Sequence, residues 1–256
     1  MSVPPMSGPR GSHTPGSEPP GTPDRSDSDP RPPSGTAAGL ARELADALRD
    51  HVRRSLGVDV EYTSTSLAFV DHYLRSARSE TRPAILLLVA AEAGAWYGEL
   101  VRREIGGQWI GDGHDPRTLR LVLRHQFLHF APVDQALEAL LATQGLGAEA
   151  DETRMPEGPA LDTAFHAKGA GADSPVGDAV REDDSSWLAE RLAELPPVGE
   201  DEYYSLTCRF ETLQLVLELL AAKHVGEGRS PREFGLEDYT EVGVVDHSRP
   251  AGAAAD

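Results

Sequence analysis

The sequence predicts an α+β protein: one helix-rich domain holding a small antiparallel sheet of two or three strands, preceded by a disordered N-terminal arm. Three observations predict it. Apolar residues recur at helical spacing over six separate stretches. The period switches to alternation in one place, between about Thr118 and Phe130. Residues 1–36 hold half of the chain's 20 prolines and almost no large apolar side chains, so they cannot bury enough surface to offset chain entropy.

The first helix is expected over Ala37–Leu56, with Leu40, Leu44, Ala47, Leu48 and Val52 as its stripe and Gly57 as its stop. After the short extended piece at Val58–Val60, Ser64 or Ser66 caps a second helix carrying Leu67, Val70, Tyr73 and Leu74. Pro83 opens a third, which runs to Ile105 and is apolar all round from Ile85 to Ala91, so that stretch is expected at the centre of the domain. Gln108-Trp109-Ile110 reads as a strand. The alternation that follows reads as a hairpin turning near His125-Gln126, with a single longer strand or a helix as alternatives. Pro132 opens a helix that Gly145 ends. A short helix is expected around Trp187–Leu195 and a long one over Glu202–Val225, striped by Tyr203, Leu206, Phe210, Leu213, Leu217 and Leu220. Phe234, Leu236 and Tyr239 lie in a short tail that packs back.

The chain therefore divides into a Pro/Gly/Ser-rich arm (1–36), a core part (37–144), an acidic flexible loop without periodicity (145–182), C-terminal helices completing the domain (183–244) and a disordered tail (245–256). The net charge is −18, and between Glu149 and Glu202 there are 15 acidic residues against 4 basic ones. Such a charge disfavours direct contact with nucleic acid and favours a basic partner. A lone cysteine, Cys208, forms no intramolecular disulfide, Met1–Pro20 lacks the pattern of a secretory signal, and the longest apolar run is interrupted by Glu92 and reads as too short for a bilayer. The expectation is a soluble, cytoplasmic protein.

Glu92-Ala-Gly94-Ala-Trp96-Tyr97-Gly98-Glu99, followed by Gly106-Gly107-Gln-Trp109, resembles a pattern in a family of uncharacterised bacterial domains. There, a helix bearing G-x-[WY]-Y/V-G-E leads into G-G-x-W, the Trp opens a short sheet and a Pro-initiated helix follows, as Pro132 does here. The resemblance covers about residues 58–145 and implies a fold pattern but no activity.

On the residues alone, Gly94 and Gly98 lie four apart and leave a shallow groove on one helix face, for packing or for a ligand, with Trp109 beside it. Glu92 and Glu99, seven apart, share a direction and are the candidate acid–base pair, although Arg102 and Arg103 stand at ion-pair spacing from Glu99. His125 and His129 would face one metal on a helix but stand about 13 Å apart on a strand, so no metal and no cofactor is expected. Cys208 reads as a small core residue, although Arg209 beside it could depress its pKa. No nucleophile elbow, P-loop or dinucleotide fingerprint is present. The expected function is a non-catalytic protein-interaction domain of adaptor or immunity type, engaging a basic protein or a second copy through the surplus apolar residues Leu215, Val216 and Leu219 of the last helix. The alternative is a small enzyme or ligand binder with a site around Glu99, Trp109 and His125.

Overall fold

The computed structural model describes residues 32–141, 160–167 and 184–241. The expectations for the arm up to residue 31, for Gly145, for most of the acidic segment and for the tail from residue 245 lie outside them. The chain order is α1 (Ala37–Leu56), a 3-10 turn (Ser64–Ser66), α2 (Leu67–Ala77), α3 (Pro83–Glu104), β1 (Gly107–Ile110), a second 3-10 turn (Pro116–Thr118), β2 (Arg120–Leu123), β3 (Leu128–Phe130), α4 (Pro132–Leu141), β4 (His166–Ala167), α5 (Asp184–Ala193), α6 (Glu200–Tyr203), α7 (Leu206–Gly226) and α8 (Leu236–Glu241). The α+β class is as the periodicity predicts.

α1 begins where the side chain of Thr36 accepts from the amide of Gly39, and it ends at Gly57 in the left-handed region. Its buried line is Ala41, Ala45, Leu48 and Val52, with the predicted Leu40 and Leu44 only flanking it. The centre of the stripe has shifted because small residues let α1 lie close against α3. The same logic moves the buried stretch of α3. Leu88 is exposed, whereas Ala90–Val101 is continuously buried. Alanines and glycines there allow neighbours on every side. At 22 residues α3 is long and apolar enough, by length and composition, to cross a membrane, but 72% of its apolar window is buried in the protein.

The sheet is antiparallel in the order β1-β2-β3-β4. It has four strands rather than two or three, because residues 160–167, within the segment read as lacking periodic structure, contribute β4. One face carries Trp109, Leu121, Leu123, Leu128 and Phe130 into the main core beside α3 and α4. The other carries Ile110 and Val122, which with Phe127 pack under Phe234 and Tyr239. The tail thus forms α8 and covers the outer sheet face. The hydroxyl of Tyr239 accepts from the Leu128 amide at 3.1 Å and donates to the Leu123 carbonyl at 2.7 Å.

The last long helix starts at Leu206, later than its apolar stripe suggests. Ser205 caps it by accepting from the Cys208 amide, and Asp71 of α2 accepts from the amides of Leu206 (2.8 Å) and Thr207 (3.1 Å). Tyr203, on the separate α6, is half exposed. The buried line of α7 is Leu206, Phe210, Leu213, Val216 and Leu220. Val216, read as surplus, lies in the core, and Leu217 is half-buried at its edge.

Candidate functional site

Gly94 and Gly98 sit on the face of α3 that meets the start of α4 and the β1 strand. A Cβ on Gly94 would fall 2.5 Å from the Val133 Cα, and one on Gly98 would fall 2.1 Å from the Trp109 ring. The groove anticipated between them is therefore filled by backbone and indole. Trp109 lies flat where Gly98 has no side chain, and its N–H donates to Glu99 Oε1 at 2.7 Å. Glu99, 2% exposed, also takes a two-pronged pair from Arg102 (3.0 and 3.1 Å), and Arg103 Nε stands 3.7 Å from its second oxygen. Arg103 in turn lies over the Tyr62 ring at 4.1 Å, and Tyr62 stacks on Trp96. Burial, with Asp46 adding to it, pushes the Tyr62 hydroxyl up to about 12. This almost fully buried carboxylate, with both oxygens engaged, ties α3 to β1.

Glu92 is also buried and meets His51 Nδ1 of α1 at 2.6 Å. Burial raises its carboxyl above the usual range against the pull of His51. The Glu92–His51 and Glu99–Trp109 contacts join α3 to different partners, α1 and β1.

His125 and His129 do not share a site. His125 is exposed in the β2–β3 turn, while His129 lies on β3 on the outer sheet face. His129 stacks on His166 of β4 at 4.8 Å and 16°, and His166 Nε2 meets Asp162 at 2.7 Å. Burial, with repulsion from His166, drives His129 down to about 4. Among the described residues no group of three or more His, Cys, Asp or Glu could hold a metal ion. Cys208 is half-buried, and burial raises its thiol despite Arg209.

The remaining buried carboxylates repeat the pattern of Glu99. Asp71 caps α7 as described. Asp134 on α4 pairs with Arg117 at 3.2 Å and accepts from the Asp162 amide at 3.0 Å. Glu138 pairs with Arg209 of α7 and takes the Thr163 hydroxyl at 3.4 Å. Asp184 draws Lys223 (2.9 Å), His224 (3.1 Å) and Arg229 (3.5 Å). Burial alone would raise Asp184, but its bonds to Lys223 and His224 outweigh that and lower it. None of these partners is close in sequence, so only Glu99, with its helix-spaced arginines, could be foreseen.

One open feature adjoins His125. Ile105, at the end of α3, Leu123, His125 and Gln126 of the β2–β3 turn, and Leu217, Glu218 and Ala221 of α7 line a mostly apolar groove of about 290 Å³. The alternative site around Glu99, Trp109 and His125 is thus brought together in part. Glu99 and Trp109 touch inside the protein, and His125 faces this groove. Comparison with protein-family models, with curated proteins and with solved structures finds no match for the chain.

Proposed function

We propose that the chain is a non-catalytic protein-interaction domain, of adaptor or immunity type, that acts in the cytoplasm on a basic protein partner. One observation carries this reading: all six buried carboxylates among the described residues already bind protein groups that link one element to another. A carboxylate that acts as acid or base must lie within reach of a substrate proton, and these six are turned inward. The charge of −18 supplies long-range attraction for a basic surface.

The enzyme or ligand-binding alternative draws on the groove beside His125. Glu99→Gln in the full chain separates the two readings. The interaction reading expects a loss of about 2 kcal/mol in urea unfolding, because Arg102 and Arg103 lose their counter-charge. This is less than the roughly 3–5 kcal/mol of a fully buried pair, since both guanidiniums are partly solvated. Unchanged stability would return Glu99 to the list of catalytic candidates.

A further inference from the structure

The groove beside α7 has a specific character. Its walls are Ile105, Leu123 and Leu217, with Ala221 at its mouth. Leu217, Ala221 and Val225 recur every four residues, so one apolar ridge continues from the groove along the outside of α7. Val225 at the end of that ridge is 73% exposed. At 1.5 Å per residue the ridge extends about 12 Å, a little over two helical turns. Beside it runs an exposed polar stripe of Glu211, Gln214 and Glu218. Glu218 lines the groove and has no ionic partner among the described residues. Lys223 and His224 further along α7, and Arg229 beyond its end, are drawn to Asp184.

The volume, about 290 Å³, falls just short of the roughly 300 Å³ at which small-molecule pockets begin, and suits one or two large side chains. An apolar ridge of helical pitch with the carboxylate of Glu218 at its edge matches a helix that carries apolar residues on one face and cations at their edge. A second copy of this chain would bring another net charge of −18 to the same surface, and that repulsion opposes it.

Building on the interaction reading above, we infer that this groove docks a basic amphipathic helix of a partner protein. One apolar side chain fills the space between Leu217 and Leu123, and a lysine or arginine pairs with Glu218. Gln126 and His125 form the polar opposite wall.

The test uses the full chain and a synthetic amphipathic helical peptide with leucines on one face and lysines beside them, titrated by fluorescence anisotropy. Controls are a scrambled peptide of identical composition and a peptide with glutamates for the lysines. The expected result is saturable binding of the first peptide, about tenfold weaker binding of the scrambled one and none of the acidic one. Ala221→Arg fills the mouth of the groove at an exposed helical position where arginine is well tolerated. It should weaken binding about tenfold with the urea midpoint unchanged, and Glu218→Lys should weaken it mainly at low salt. Equal binding of the scrambled peptide, or no effect of Ala221→Arg, overturns the proposal. So does a wild-type dimer that Ala221→Arg converts to a monomer, which would make a second copy the occupant. A basic protein captured equally by wild type and Ala221→Arg overturns the groove assignment while leaving the interaction reading standing. Groove-dependent peptide binding without capture of any basic protein does the reverse.

Discussion

A methyl group added at Gly98 would place a carbon 2.1 Å from the Trp109 ring, and neither the α3 backbone nor a buried indole can yield easily. Gly98→Ala is therefore expected to cost about 3 kcal/mol in urea unfolding, the upper end of ordinary overpacking, although alanine is the better helix former. Gly98 and Glu99 work as a pair, one making room for the indole and the other taking its N–H. This accounts physically for the Gly98-Glu99 pair and for Trp109 within the G-x-W-Y-G-E and G-G-x-W pattern. The sequence shows the glycine spacing and the neighbouring arginines, but not that the indole eleven residues after Gly98 would occupy the gap.

His129 carries the clearest pH dependence. Its folded pKa, about 4, lies below the ordinary value of 6.5. The stability it contributes is fully present above about pH 6.5 and is lost as pH falls toward 4. The groups facing it are His166, Asp162, Arg120 and the Tyr239 ring. Urea midpoints measured down this range should fall, and His129→Phe should flatten that part of the curve. An unchanged slope in the variant would assign the acid sensitivity elsewhere. The stacked pair was not legible, because His166 sits in a stretch whose composition reads as loop and its two-residue strand is too short to show a period.

At the level of elements, helices with strong stripes and clear stops were legible: α1 from Ala37 to its stop at Gly57, α3 from Pro83, and the hairpin turn near His125. What escaped the sequence was held by distant partners. The start of α7 depends on Asp71, 135 residues before Leu206, and no local pattern announces that cap. The tail was foreseen as packing back, but its role in covering the sheet rests on the hydroxyl of Tyr239. Tyr239→Phe keeps the ring stacked on Phe127 and removes the acceptor for the Leu128 amide. A loss of about 1–2 kcal/mol is expected, with faster hydrogen exchange at Leu128 as the local signature. Unaltered exchange there would mean that ring packing alone fixes α8.

For the whole molecule, the described acidic residues divide into six that are buried and others that are partly or fully exposed. Six carboxylates stitch α2, α3, α4, α5 and the β4 segment to their neighbours, and the rest give the chain its negative charge. Composition made that charge legible, and the proposal of a basic partner rests on it. The groove that would receive such a partner was only hinted at by the apolar surplus on the last helix, because Val216 turned out to be core while Leu217 lines the opening. The most direct test of the central claim is affinity capture from native cell extract with the tagged full chain, at low and high salt, with the retained proteins identified by mass spectrometry. The account predicts a stoichiometric basic protein that is retained at low salt and lost at high salt. Retention of nothing beyond the chain itself under both conditions would contradict it.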